Sequence, residues 1–317
     1  MSNFGIFVTS NNTYLPYVNA LFNSLEKRRI KDITVLFSYY DFPLKYIEHA
    51  KKTFSFNIEA VEIKREDYQI KNFNINYFMK QSKHKIIRDY GEKFDAICHI
   101  DADQFVVSEN FVNLLELVKN TDKLIVPNEK YKWTFYERFV YKGKRIIEKD
   151  VKAYKFHCGS PSFMDVKKWT DVLDCYNKLA FNSFEIDKKK NINKPIGDMV
   201  CWNISVYKRN RQNDIILMPM ECFTQVHYTN CLKGSRIIVD KDTWITENGD
   251  EVFTIHGRVG NEQFYKGHID YAEKTEVHKT EIILKKIQKE WYNLNFKQYL
   301  NLYDYVPKNK YWETFDK

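Results

Sequence analysis

Glycine and proline are scarce in this chain, 10 and 7 among 317 residues. That scarcity excludes a disordered or low-complexity protein. No stretch rich in Gly, Pro or Ser divides the sequence, and no internal repeat is evident. The six cysteines stand at 98, 158, 175, 201, 222 and 231, and none forms a C-x-x-C pair. A zinc site or a redox dithiol is therefore unsupported. Cys98 lies in an apolar run, where a free thiol acts as a small hydrophobe, and the set reads as that of a reducing, intracellular compartment. No apolar run approaches the ~18 residues of a membrane span. A basic segment followed by an apolar stretch, the mark of a signal peptide, is also missing near Met1. The expectation is a soluble cytoplasmic protein, at most peripheral to the inner face of a membrane.

Aromatic residues are plentiful, with 22 Tyr and 23 Phe, and 44% of the chain is hydrophobic. This is ample for the core of one large α/β domain or two small ones. The formal charge of +8 suits an anionic nucleotide, a phosphorylated lipid surface or nucleic acid, and chooses among none of them. The longest basic run, Lys188-Lys189-Lys190, reads as a solvated loop.

The chain is organised around Asp95-Ala-Ile-Cys-His-Ile-Asp101-Ala-Asp103-Gln104. A short apolar run bounded by charge reads as a buried strand. Carboxylates at its C-terminal end fall where open α/β sheets bind ligands. If both positions are extended, Asp101 and Asp103 share one face, since strand side chains repeat every two residues. Paired hard oxygens suit Mg²⁺ or Mn²⁺, and a metal so held commonly bridges protein to a diphosphate. The plainer reading is an acidic turn after a strand.

Around this stretch the pattern alternates between strand and helix. Strands are expected at 4–8, 33–37 and 58–63, and helices at 14–26, 46–54 and 77–90. Leu15, Val18, Leu21, Phe22 and Leu25 share one helical face. After Asp103 come a helix at 110–119, a strand at 123–127 and a basic, aromatic insert at 128–153 with a turn at Lys142-Gly143-Lys144. A loop running into a strand is expected at 156–166, helices at 168–179 and from Gly197, and strands at 215–218 and 252–255. Such alternation implies a mainly parallel, doubly wound sheet flanked by helices.

Five segments, in order, resemble the GT-A nucleotide-sugar glycosyltransferases, above all family 8, which holds lipopolysaccharide galactosyl- and glucosyltransferases and glycogenin. They are Val8-Thr-Ser-Asn11-Asn-Thr-Tyr14-Leu-Pro-Tyr17, the Ile100-Asp-Ala-Asp103 strand end, and Phe156-His157-Cys158-Gly159 with the trailing Lys167-Lys168-Trp169. Gly197-Asp198-Met199 and Thr254-Ile255-His256-Gly257 complete the set. The resemblance spans residues 4 to 270. It implies a GT-A domain over 1–274 and a basic aromatic helical extension over 275–317. It also implies hexose transfer from a UDP-sugar, with Mn²⁺ or Mg²⁺, to a hydroxyl of a glycan, glycolipid or other acceptor, with retention of configuration.

The same resemblance assigns roles. Asp101, Asp103 and His256 become metal ligands, with Asp101 also reaching the donor. Thr9, Asn11 and Tyr14 take the nucleoside, Tyr14 by stacking. Lys83 or Lys85 faces the donor; Lys85 is carried among the donor-binding residues. Gly159, Gly257, Gly260, Arg258 and Lys266 line the sugar diphosphate, and Asp198 and His157 contact the donor sugar at the reacting end. Asp198 also reads as a helix-start acid that offsets the dipole. The chain departs from the family at several of these positions. Asn11 stands where an acid normally accepts the uracil N–H, His157 replaces Asn, Met199 replaces Gln, and no Lys-Pro-Trp follows His256.

Three other readings remain. A viral DNA-modifying glycosyltransferase would keep the donor chemistry and use the +8 charge and the 128–153 insert for phosphate contact and stacking. A non-catalytic nucleotide- or carbohydrate-binding protein would keep only the fold. A nucleotidyltransferase ranks lower, since no Gly-rich loop opens the chain. The segment 275–317 reads as a packed helix with solvated lysines, or alternatively as a surface for an anionic bilayer.

Overall fold

The computed structural model of the protein describes residues 2–64, 66, 75–128, 134–152, 159–187, 192–223, 237–240, 243–246 and 248–256. In chain order the first half contains β1 (Phe4–Asn11), α1 (Leu15–Lys27), β2 (Ile33–Tyr40), α2 (Leu44–Thr53), β3 (Asn57–Glu62) and α3 (Ile75–Tyr90). These are followed by β4 (Ala96–His99), β5 (Gln104–Val106), α4 (Phe111–Thr121) and β6 (Leu124–Pro127). The insert holds β7 (Thr134–Phe135), β8 (Phe139–Tyr141), β9 (Lys144–Arg145) and β10 (Val151–Lys152). Then come β11 (Ser162–Met164), α5 (Thr170–Ala180), β12 (Ser183–Asp187), β13 (Ile192–Pro195), α6 (Asp198–Lys208) and β14 (Ile215–Met218). The last described strands are β15 (Ile237–Asp240), β16 (Thr243–Thr246) and β17 (Thr254–His256).

A seven-stranded sheet has the order β14-β6-β11-β4-β1-β2-β3. β1 runs parallel to β4, β2 to β3 and β6 to β14, while β11 lies antiparallel to both β4 and β6. The sheet is thus mixed and mainly parallel, as the alternation of elements implies. The chain leaves β1 for β2 and β3 on one side, then returns to place β4 on the other. β1 is therefore the strand at which the chain order reverses across the sheet, its topological switch point.

Two compact units make up the chain. One comprises Met1–Phe7, Ile63–His99 and Leu114–Met218; the other comprises Val8–Glu62, Ile100–Asn113 and Pro219–Lys317. β1 passes from the first into the second. The first unit is built on α3, α5 and α6, whose inward faces bury Tyr176 and Trp202, with Trp169 buried just ahead of α5. The second packs the α1 stripe of Leu15, Val18, Leu21, Phe22 and Leu25, all buried as its 3- and 4-residue spacing requires. Phe22 meets Phe37, Phe54 and Phe56 edge-on at 5.5–5.9 Å, the favoured geometry for aromatic pairs.

The structure corrects the sequence expectation most at the centre. β4 stops at His99, and Ala102-Asp103 form a turn, so the two acids do not continue an extended strand. β1 is longer than expected and reaches Asn11. The insert contains a hairpin, β8–β9, that turns at Lys142 (φ 48°) and Gly143 (φ 76°). Two positive φ angles suit a two-residue hairpin loop, and glycine adopts one without strain. The antiparallel pair β12–β13 was not expected, because its strands are short and mix Glu, Asp, Asn and Lys with few apolar residues. The expected boundary at 274/275 and the extension 275–317 lie outside the described residues.

Candidate active site

The second unit holds the acidic turn. Its closure is local: the Asp101 N–H donates to Gln104 Oε1 and the Gln104 N–H donates to the Asp101 carbonyl, both at 3.0 Å. Gln104, Phe105 and Val106 are buried. The Val106 N–H donates to Ser24 Oγ of α1 at 3.0 Å, which fixes β5 against that helix. β17 lies antiparallel to β5, with Thr254 opposite Val106, Ile255 opposite Phe105 and His256 opposite Gln104. The ladder continues beyond the strand, the Val107 N–H donating to the Phe253 carbonyl at 2.9 Å. Glu251 secures its far end by accepting from Ser108 Oγ and, at 3.1 Å, from Asn110 Nδ2.

This pairing sets the backbone of His256 beside Gln104, the residue that follows Asp103, though the two are 152 positions apart in sequence (256 − 104). Asp103 is buried and Asp101 half-buried. Among the described side chains no group of three His, Cys, Asp or Glu forms a metal cluster. The side chain of His256 is not among them, so the triad proposed from sequence has two described members. Two carboxylates in one turn are a donor set that fits a hard divalent cation.

At the end of β1, in the same unit, Asn11 is half-buried. Its Oδ1 accepts from the Thr13 N–H at 3.1 Å and from Thr13 Oγ1 at 2.6 Å, capping the single 3-10 turn Asn12–Tyr14. Thr9 Oγ1 is buried, with no hydrogen-bond partner among the described residues, and Tyr14 is half-buried and tilted against Tyr17 at 5.5 Å.

The first unit holds a different arrangement. Lys83 on α3 and Asp198 at the start of α6 form an ion pair at 2.8 Å, their side chains only 6% and 16% exposed. Burial alone would raise the Asp198 carboxyl. The charge and hydrogen bond of Lys83, with Lys80 and the Met199 N–H, outweigh it and hold the group below the ordinary carboxylate value. Gly159 is buried beside this pair; a Cβ there would lie 3.6 Å from Met199 Cγ and 3.9 Å from Lys83 Nζ. The Gly159 carbonyl accepts from His99 Nδ1 at 2.9 Å, which ties the loop to the end of β4. Lys85, two residues on from Lys83, is half-exposed and pairs with Asp89 at 2.6 Å. Of the two lysines, Lys83 is thus the one beside Asp198.

Sequence reasoning missed the side chains that position this pair. Gln81, buried on α3, accepts from Tyr176 Oη at 2.9 Å and donates to the Ile196 carbonyl at 2.9 Å. Ile196 precedes Gly197 and Asp198, so Gln81 fixes the entry into α6. His84 stacks on Trp202 at 4.6 Å and meets Tyr176 at 4.1 Å. The available signal was the polar run Gln81-Ser82-Lys83-His84 inside a helix, all four of which are buried. Four consecutive polar residues cannot be buried on one helix without partners, and that requirement points to contacts on several sides. His157, Gly257, Arg258, Gly260 and Lys266 lie outside the described residues.

A mixed, mainly parallel sheet with acids beyond a strand end is consistent with the GT-A fold that the sequence resemblance implies. Among solved structures, the protein is similar to LgtC. It matches an active-site mutant of LgtC with a TM-score of 0.54 at 13% identity, over 83% of this chain and 94% of that one. It matches the galactosyltransferase LgtC in complex with donor and acceptor sugar analogs with a TM-score of 0.51 at 14% identity, over the same shares. It also matches 39% of the bifunctional glycosyltransferase WbbM, over 69% of this chain, at a TM-score of 0.48 and 10% identity. No family model matches the sequence, and no curated protein is similar to it in sequence. Among the described residues no helix is long and apolar enough to cross a membrane.

Proposed function

We propose that the protein is a metal-dependent glycosyltransferase that moves a hexose from a UDP-sugar to an acceptor hydroxyl, with retention, in glycan or lipopolysaccharide-type synthesis. The observation that carries this reading is the register of β17 on β5, which brings the His256 backbone alongside the turn of Asp101 and Asp103. The likeness of the fold to LgtC supports it.

In this reading Asp101, Asp103 and His256 would hold Mn²⁺ or Mg²⁺, and the ion when bound supplies a Lewis acid to the donor diphosphate. Gly257, Arg258 and Gly260 follow His256 closely in sequence, with Lys266 further on, and these take the phosphates, by backbone N–H groups and by charge. Thr9, Asn11 and Tyr14 take the nucleoside. Asp198, kept ionised by Lys83, accepts hydrogen bonds from sugar hydroxyls. An ion-paired carboxylate held below its ordinary value is a weak nucleophile, so hydroxyl binding suits Asp198 better than covalent attack. His157 and Gly159 contact the same sugar, and Lys83 supplies the fixed positive charge that the sequence assigned to Lys83 or Lys85. The departing phosphate takes the acceptor proton.

The direct test is release of UDP from a panel of UDP-sugars in the presence of Mn²⁺, with a mixed glycan and glycolipid acceptor set. Turnover should require the divalent ion and should disappear in Asp101→Ala. Undiminished turnover in that variant, or in excess chelator, rejects the metal role.

A further inference from the structure

The amide of Asn11 has a fixed polarity. The Thr13 backbone N–H can only donate, so the atom it meets at 3.1 Å is the Asn11 carbonyl oxygen and not the amide nitrogen. Thr13 Oγ1 donates to the same oxygen at 2.6 Å. A carbonyl oxygen has two lone pairs, and Thr13 occupies both. Asn11 Nδ2 makes no hydrogen bond among the described residues, so what the side chain offers a ligand is two N–H donors.

Asn11 ends β1 at the switch point of the sheet, in the same unit as Asp101 and Asp103. An acid at this position would keep one oxygen on Thr13 and turn the other outward as an acceptor, which selects a ring N–H such as uracil N3–H. Asn11 presents the opposite polarity. It meets uracil at a carbonyl oxygen, and it meets cytosine equally well at N3, which carries a lone pair.

We propose that Asn11 is a specificity-determining residue that reads a pyrimidine through its acceptors, so that the donor site admits both uridine and cytidine diphosphates. The inference rests on the nucleotide-sugar reading above. Thr13 is part of the device, since it holds the amide in the donating orientation.

The test is equilibrium binding of UDP and CDP, with Mn²⁺, to the full chain and to two variants. The natural protein should bind the two nucleotides within about threefold of each other, since one hydrogen bond of similar strength is made to each. Asn11→Asp should shift the ratio towards UDP by about 10- to 100-fold, as expected for gaining a charge-assisted bond to one base and leaving the other unpaired. Thr13→Ala frees one lone pair of Oδ1 and should shift the ratio the same way by less. Exclusion of CDP by the natural protein by more than about 100-fold, the discrimination of a site built on an acceptor, overturns the proposal and leaves the UDP-sugar reading standing. So does an unmoved ratio in Asn11→Asp. Failure of every nucleotide to bind the natural protein overturns the nucleotide-sugar reading and this proposal with it.

Discussion

The two units hold their charged residues in opposite ways. In the first, Lys83 and Asp198 lie on two helices and neutralise one another at 2.8 Å, nearly out of water. In the second, Asp101 and Asp103 share a sign and a tight turn, held by backbone bonds and by Gln104. A buried opposite pair is a part of the fold: each charge needs the other there. Two acids in one turn contribute nothing of that kind to each other, and their proximity is useful when a cation arrives from outside. The comparison separates residues whose loss should both unfold and silence from residues whose loss should mainly silence.

The sharpest way to break that distinction is to remove one acid from the turn. Asp103→Asn keeps size and shape and removes a charge. It should lower metal-dependent turnover by about three orders of magnitude, since a Lewis acid contributes several kcal/mol at 1.36 kcal/mol per tenfold. Its melting temperature should fall less than that of a variant that strands a charge of the Lys83–Asp198 pair. A large fall in melting temperature with turnover retained per folded molecule would reverse the roles of the two regions.

For Lys83→Met a loss of stability is expected on top of a loss of turnover. Asp198 would be left buried without its cation, a change that costs about 3–5 kcal/mol. Chemical denaturation should show this as a lower midpoint with an unchanged slope. The double variant Lys83→Met with Asp198→Leu should recover much of that stability while remaining inactive, because neither charge is then stranded. If the single and double variants are equally unstable, the pair is not what holds α3 to α6.

Much of the second unit was legible beforehand. Apolar spacing placed α1, and the acids after β4 marked the turn. The conformation of that turn was not legible, because Gln104 closes it through its own side chain and a one-residue pattern does not announce such a bond. The association of His256 with the acidic turn came only from the family resemblance; the register of β17 on β5, which sets the His256 backbone opposite Gln104, is a long-range property that no local periodicity encodes. The first unit was less legible. Asp198 reads as a helix-start acid, and Lys83 as one lysine among several on a polar helix. Their pairing depends on how α3 meets α6, and so does the burial of Gln81 and His84.

Gln81 sharpens the comparison further, since it belongs to the first unit and carries no charge. Gln81→Leu would strand the Ile196 carbonyl and the Tyr176 hydroxyl, both bonded to Gln81 at 2.9 Å. A buried group left unsatisfied costs about 1–3 kcal/mol. Because Ile196 leads into Asp198, the variant should also bind the donor sugar more weakly. KM for the UDP-sugar should rise while affinity for free UDP stays the same. Equal loss for UDP-sugar and UDP would show Gln81 acting on stability alone.

The smallest effect is one of pH. The Asp198 carboxyl is held below its ordinary 3.8 by Lys83, Lys80 and the Met199 N–H, against its own burial. A group depressed on folding adds stability that is fully present above its unfolded value and is lost as pH falls through the lower folded value. The contribution should therefore be flat from neutral pH down to about the ordinary carboxylate range. Below that range, the difference in melting temperature between the natural protein and Asp198→Asn should narrow. Only the upper part of this fall lies in a range where an acidified α/β protein keeps its fold, which makes the change small. A difference that instead narrows between pH 8 and 6 would mean that a histidine governs the pair. His84, adjacent to Lys83 and stacked on Trp202, would then be the residue to substitute next.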